Sequence, residues 1–485
     1  MAEKSPYIST LRKLRPMRFR LLVSLLSLLA ATQFLACGQG APPAAPVAAP
    51  PVRPLAWLDT LLTESKVLRQ HQVGVALADA ATGEVLYGLN ETRYFTPAST
   101  MKLLSVYTGL RLLGDSLPSL RYLSRNDTLF FQGTGDPTLL HGDVPGRRAF
   151  AFLAARPEKI LAYCDRPASA AFGPSWTWDD YNYYYQPERG AFPIYGHTVR
   201  FYAAAGRAPR VLPRQFRPLV RAATAPPADP DDHVRRELEA NEFSYYISSK
   251  KWIDETPFRP SRRLLVQLLG DTLRRAVVGV GRAGRATTAA MRVLPGLPAD
   301  SLYRRLLRVS DNFLAEQLLF MCAARLPAAA APDDSLSAER VIRFARRNYF
   351  AFAPDPVLWA DGSGLSRKNL LTPRTLLALL LKLHQEVPEK RLLSLLAPGG
   401  GQGTLRRRYF DPAVAATKTT RAVPRQTWLW GKTGTLSNNH NLAGYLRTKS
   451  GRLLAVVFMN NNFPADDAPL RAEMERVLGQ VRARL

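Results

Sequence analysis

One stretch constrains the chain most, Thr96-Pro97-Ala98-Ser99-Thr100-Met101-Lys102-Leu103-Leu104. Pro97 suits the entry to a helix and residues 98–107 contain no breaker, so a helix begins there. It continues through Leu103, Leu104, Tyr107 and Leu110, an apolar face fit for a core, and stops at Gly114. Residues three apart share a helix face, so Lys102 can bring its amine to the Ser99 hydroxyl, beside the free N–H groups of the first turn. Serine is a poor nucleophile at neutral pH unless a base takes its proton, and a desolvated or positively surrounded amine can be that base. The pattern alone proves nothing. Ser-x-x-Lys recurs at Ser248-Ser249-Lys250-Lys251, where no apolar helical run follows.

The N-terminal end reads as an address. In residues 1–36, Lys4, Arg12, Lys13, Arg15, Arg18 and Arg20 precede an apolar run over 21–31 that is short for a membrane span. Phe34-Leu35-Ala36 before Cys37 completes a secretory-signal layout and resembles a bacterial lipobox, so export to the periplasm and lipid anchoring through Cys37 are expected. Residues 37–54 form a tether, almost wholly Ala, Pro and Val from position 40. Cys164 and Cys322 remain, and read as two buried thiols. The formal net charge of +27 favours anionic partners such as cell-wall polymers or lipid headgroups. Nucleic acid is not expected, because the chain is exported and its arginines are not interleaved with aromatics on one element.

From residue 55 on, a helix is expected over 57–68 and two strands over 72–79 and 84–89, joined by a tight turn at Ala80-Ala81-Thr82-Gly83. Residues 117–294 change character to short strand-like runs and loops, a β-rich insertion. Within it, Tyr183-Tyr184-Tyr185 reads as buried area at a domain contact rather than a sugar-stacking platform. Gly279-Val280-Gly281-Arg282-Ala283-Gly284 matches a dinucleotide fingerprint by letter, but no periodic helix opens at its end, and it reads as a turn. Helical pattern returns on both sides of Ser310-Asp311-Asn312, then around 337–345 and 373–385. Strands follow at 428–436, 442–448 and 452–460, and a closing helix at 468–484. Lys432-Thr433-Gly434-Thr435 lies in the first of these strands, where glycine marks close approach of a backbone or a ligand.

Ser-x-x-Lys at a helix start, Ser-Asp-Asn between helices and Lys-Thr-Gly on a strand follow in the order and settings of the penicillin-recognising serine enzymes. Within that superfamily the chain resembles the D-alanyl-D-alanine carboxypeptidase/endopeptidase family typified by low-molecular-mass penicillin-binding protein 4. Further motifs carry the resemblance: Gly135-Asp136-Pro137-Thr138-Leu139, Ala315-Glu316, Asp361-Gly362-Ser363-Gly364-Leu365-Ser366 and Gly431-Lys432-Thr433-Gly434-Thr435. It implies an α+β fold, an antiparallel sheet flanked by helices as in β-lactamases and transpeptidases, with a long β-rich insertion. The catalytic domain would be built from 55–116 and 295–485. The 211 positions from Ser99 to Ser310 exceed what a β-lactamase would need.

Carried over residue by residue, the resemblance implies that Ser99 attacks a D-Ala-D-Ala carbonyl and Lys102 takes its proton. Ser310 would relay that proton, Asn312 would hold Lys102 and the substrate amide, and Lys432 would face the substrate carboxylate. Thr433 and Gly434 would line the substrate, and the N–H groups of Ser99 and Thr435 would form the oxyanion hole. Peptidoglycan stem peptides are the implied substrate and β-lactams the implied acylating inhibitors. No cofactor and no metal are expected, and the six histidines are scattered without metal-ligand spacing. A β-lactamase keeps the same residues, but no Glu-x-x-x-Asn segment follows Asn312. An idle wall-binding lipoprotein has no need of all three motifs.

Overall fold

The computed structural model describes residues 55–144, 146–225, 232–331, 333–413, 424–464 and 466–485; the leader, the tether and Cys37 lie outside the described residues. Strands from the two ends of the described chain share one antiparallel sheet of six. Its spatial order is Ala397–Pro398, Leu429–Leu436, Asn439–Arg447, Leu453–Asn461, Gln72–Asp79 and Val85–Leu89. The register runs from Gln72 opposite Asn461 to Asp79 opposite Leu454, so the first strand pairs with the last along its whole length. Alternation then sorts the side chains. Val73, Val75 and Leu77 turn to the face covered by the helices Ala56–Thr63 and Asp467–Arg484, through Leu58, Leu62, Leu470, Met474 and Val477. Ala76 and Ala78 turn to the other face, where Met101, Leu104, Tyr107, Leu314 and Leu318 form the larger core. Small residues on that face let the helix Pro373–Glu386 lie close to the sheet, and the helix carrying Lys102 packs behind it.

Residues 116–298 hold a second sheet, in the order Val277–Arg282, Ile160–Asp165, Thr128–Gly133, Ser116–Arg125 and Arg292–Pro298. Its first three strands are parallel neighbours and the rest antiparallel, and the helix Arg262–Leu273 packs into its core. Two three-stranded sheets complete the segment.

Three expectations need correction. The glycine run at 279–284 is not wholly a turn, because Val277–Arg282 pairs in parallel with Ile160–Asp165 and tertiary pairing overrides the glycines. The helix at 57–68 stops at Thr63, and a separate 3-10 turn follows at Leu68–Gln70. The tyrosine run is not sealed at a contact: Tyr184 is 66% exposed and Trp178 74%, while Tyr183 and Tyr185 stack with ring centroids 5.4 Å apart. Cys164 and Cys322 are free and buried.

Candidate active site

Ser99 lies in a 3-10 turn, Ala98–Met101, that leads directly into the helix Lys102–Leu112. Ala98 is held at φ 49°, a conformation that costs a non-glycine residue energy and needs support on both sides. The sheet supplies one support, since Asn441 and Asn461 donate their side-chain amides to the Thr96 carbonyl at 2.9 and 3.2 Å. The Asp361–Ser366 turn supplies the other. Gly364, at φ 85°, packs so tightly that a Cβ there would stand 1.9 Å from the Ala98 carbonyl oxygen. Gly434 does the same from the strand, where a Cβ would lie 2.5 Å from the Pro97 oxygen and 3.0 Å from the Ser99 nitrogen. Glycine is therefore required at 434 by close backbone approach.

Lys102 is fully buried. Its Nζ has three neighbours: Ser99 Oγ at 2.8 Å, Asn312 Oδ1 at 2.5 Å and the Ser363 carbonyl oxygen at 2.6 Å. The Asn312 amide is oriented by its other end, because Nδ2 donates to the Tyr185 carbonyl at 2.9 Å. Asn312 Oδ1 and the Ser363 carbonyl can only accept. Two N–H bonds of the amine are thus committed, and the position facing Ser99 can hold either a third N–H or the lone pair that receives the serine proton. Burial pushes Lys102 down to about 8, against the charges of Asp361, Glu316 and Asp311, which hold it up. Lys432, also fully buried, is pushed well down, first by burial and then by Lys102. Desolvation is therefore the first cause at both lysines, and repulsion by Lys102 is the second cause at Lys432 alone.

The Ser-Asp-Asn segment is a hinge between helices. Ser310 ends Ala299–Val309 in the left-handed conformation, φ 64° and ψ 40°, a place usually taken by glycine. Asp311 caps Asn312–Ala323, its Oδ1 accepting the Leu314 N–H at 3.0 Å. This turn delivers Ser310 Oγ to Lys432 Nζ at 2.8 Å. Lys432 lies on Leu429–Leu436, which pairs with Ala397–Pro398 only at Gly431 and Trp430. Beyond Gly431 that edge has no strand partner among the described residues. Leu429 turns its carbonyl to this edge, accepting Gly399 N–H at 2.8 Å, so by alternation the N–H groups of Thr433 and Thr435 face it too. The edge runs past Ser99 and is open to an extended peptide.

Several residues of the site went unassigned in the sequence reading. Asp361 accepts Trp176 Nε1 at 2.8 Å, the N–H of Gly364 at 2.8 Å, the N–H of Ser366 at 2.7 Å and Asn369 Nδ2 at 2.8 Å, which fixes the turn that offers the Ser363 carbonyl. His440, opposite Thr435 in the sheet, stands with Nδ1 2.9 Å from Thr435 Oγ1. Burial drives this histidine down to about 3, so it is neutral and sets the direction of the threonine hydroxyl. Among the described residues no group of acidic, histidine or cysteine side chains could hold a metal ion.

The model of the D-Ala-D-Ala carboxypeptidase 3 (S13) family matches residues 55–208 and 272–481. A carboxypeptidase of Mycobacterium tuberculosis is 28% identical over 400 residues, covering 79% of this chain and 75% of that protein. A D-alanyl-D-alanine carboxypeptidase of an Actinomadura species is 25% identical over 476 residues, covering 86% and 82%. Among solved structures, penicillin binding protein 4 of Haemophilus influenzae superposes with a TM-score of 0.64 at 20% identity, over 88% of this chain and 98% of that one. The same protein has been solved with a β-lactam, with a TM-score of 0.61 at 19% identity over the same shares.

Proposed function

The chain belongs to the D-Ala-D-Ala carboxypeptidase 3 (S13) family and is a D-Ala-D-Ala carboxypeptidase, and on that premise we propose that it works through an acyl-enzyme on Ser99. The three-neighbour cage of Lys102 carries this reading. With Asn312 Oδ1 and the Ser363 carbonyl holding two N–H bonds, the lone pair of the neutral amine points at Ser99 Oγ. As Oγ bonds to the carbonyl carbon of the penultimate D-Ala, its proton passes to Lys102 Nζ. The oxyanion meets the N–H groups of Ser99 and Thr435, and a donor of this kind is worth ~3 kcal/mol in hydrolases. Breaking the C–N bond requires a proton on the leaving amine. Ser310 Oγ, held by Lys432, relays it from Lys102. Water then attacks the ester, Lys102 takes the water proton, and Ser99 recovers its own as the shortened peptide leaves.

The substrate stem peptide lies along the open edge at 433–435, with Lys432 Nζ near the terminal carboxylate, whose negative charge favours the ammonium form that burial alone disfavours. A cross-bridge between D-Ala and a second stem presents the same carbonyl, so endopeptidase action uses the same steps. β-Lactams acylate Ser99 and block it, a reading supported by the β-lactam complex of the Haemophilus influenzae protein. We further read residues 1–36 as an export signal, Cys37 as the lipidated end of a periplasmic enzyme tethered to its membrane, and 117–294 as an inserted domain on a catalytic one. Labelled penicillin tests the chemistry. A stable label on the wild type that Ser99→Ala abolishes, together with D-Ala release from a D-Ala-D-Ala peptide, is expected. Absence of Ser99-dependent label would overturn the reading, and rapid turnover of that label would favour β-lactamase instead.

A further inference from the structure

Residues 185–190 run along one face of the helix Asn312–Ala323 and touch it at successive positions. The Tyr185 carbonyl accepts Asn312 Nδ2 at 2.9 Å. Arg189 pairs with Glu316 at 3.0 Å, both side chains 1% exposed. Gly190 gives its N–H to Gln317 Oε1 at 3.1 Å and takes Gln317 Nε2 on its carbonyl at 2.8 Å. Asn312 and Glu316 are one turn apart and share a face, and Gln317 follows Glu316 directly on the flank of that face.

The other oxygen of Glu316 accepts the Ser363 N–H at 2.7 Å, while the Ser363 carbonyl accepts Lys102 Nζ at 2.6 Å. Arg189 is fixed from behind by the carbonyls of Ala170, at 2.8 Å, and Phe172, at 3.0 Å, and lies over the rings of Trp176 and Phe320. Trp176 in turn donates to Asp361, the hub of the same turn. Each acceptor committed to the Lys102 amine is therefore held from the 170–190 segment: Asn312 through Tyr185, and Ser363 through Arg189 and Glu316.

We propose that residues 185–190 form a strap that positions the catalytic amine, with Arg189 and Glu316 as positioning residues that hold the Ser363 peptide group against Lys102. The strap makes the segment between the two catalytic sequence blocks part of the base itself. This rests on Lys102 being the base for Ser99.

The charged groups facing Lys102 are Asp361 in the turn, Glu316 and Asp311 on or beside the Asn312 helix, and Lys432 on the strand. Glu316 is the one among them that also grips the Ser363 N–H. Glu316→Gln keeps an acceptor for that N–H and removes a negative charge that favours the ammonium. The acid limb of the Ser99 acylation profile against pH should then move down by about half a pH unit or more. Gln317→Leu loosens the strap without changing any charge, and should lower the plateau acylation rate about fivefold or more while leaving the limb in place. Arg482→Met breaks the ion pair with Asp411, which shares no hydrogen-bond partner with Lys102 among the described residues, as a control for stability alone.

The measurement is the acylation rate by fluorescent penicillin from acid to alkaline pH, with thermal midpoints, on the full chain. A Glu316→Gln protein that loses stability but keeps its limb overturns the proposal, as does a Gln317→Leu protein at the wild-type plateau. If Glu316→Gln does not fold, Gln317→Leu decides alone. A label that survives Lys102→Met instead overturns the reading of Lys102 as base, whatever the strap variants do.

Discussion

Lys432 Nζ and Ser310 Oγ stand 2.8 Å apart although 122 positions separate them, one at the left-handed end of a helix and the other on a sheet edge. In the proposed mechanism that contact closes the proton path from Lys102 to the leaving group. Ser310→Ala removes the hydroxyl and leaves Lys432 a smaller set of acceptors. Acylation of Ser99 should fall about 10²-fold or more, the worth of a positioned proton donor, with the fold retained. Labelled penicillin and circular dichroism check the two halves of that statement.

The pH dependence follows from Lys102. In the proposed mechanism its amine must be neutral to accept the serine proton, and burial pushes its titration down to about 8. Below that value the neutral fraction falls about tenfold per pH unit, so acylation should rise with pH and level off above it. An acid limb in the ordinary carboxylate range would show that a different group controls the step. The linked stability runs the same way. The folded lysine binds its proton less tightly than the unfolded one, so the cost of burying it is largest below about 8 and disappears as pH rises toward the ordinary lysine range.

Much of this site was legible because its parts are local patterns in the right settings. Ser99 and Lys102 announce themselves by a proline, a three-residue spacing and an apolar helix, and Gly434 by a glycine where a strand avoids one. What was not legible is made of backbone groups and distant partners. The carbonyls of Ser363 and Tyr185 carry no side-chain signal, and nothing in Arg189 tells it apart from other arginines before Glu316 is brought to it across 127 positions. His440 reads as a stray histidine until the sheet register sets it opposite Thr435. The glycine run at 279–284 failed for a related reason, since a parallel strand partner far away in sequence decided its conformation.

Asn312→Asp tests the cage from its other side. It replaces the neutral Oδ1, 2.5 Å from Lys102 Nζ, with a carboxylate, and turns an oxygen toward the Tyr185 carbonyl that the amide had bonded. An opposite charge at that distance favours the ammonium. The acid limb of acylation should move up by about one pH unit or more, opposite to the direction for Glu316→Gln. The two profiles, measured side by side, check the sign as well as the size.

Asp361→Asn should act on stability as well as rate. The buried carboxylate accepts five donors, the Ser363 hydroxyl at 3.5 Å among them, and an amide in its place turns an NH2 toward at least two of them. Each donor left without a partner in a buried site costs about 1–3 kcal/mol. Thermal unfolding should show a clear drop in midpoint, with slower acylation because the Ser363 carbonyl is no longer fixed.

Gly434→Ala is the most local test of the whole arrangement. Its new Cβ would meet the Pro97 oxygen at 2.5 Å, the Thr100 nitrogen at 2.9 Å and the Ser99 nitrogen at 3.0 Å, all backbone atoms of the nucleophile turn. None of them is the end of a flexible side chain, so relief requires the strand to move away from Ser99. Overpacking of this kind costs about 1–3 kcal/mol, a loss the sheet and its two cores can absorb without unfolding. Catalysis is more sensitive, because the same movement separates the Thr435 N–H from the Ser99 N–H, the proposed oxyanion donors, and one lost donor of that kind costs about 10²–10³-fold in rate. The expected outcome is a folded protein with a modest fall in midpoint and a large fall in Ser99 acylation. A variant that acylates at the wild-type rate would show that the strand edge and the serine turn do not act together.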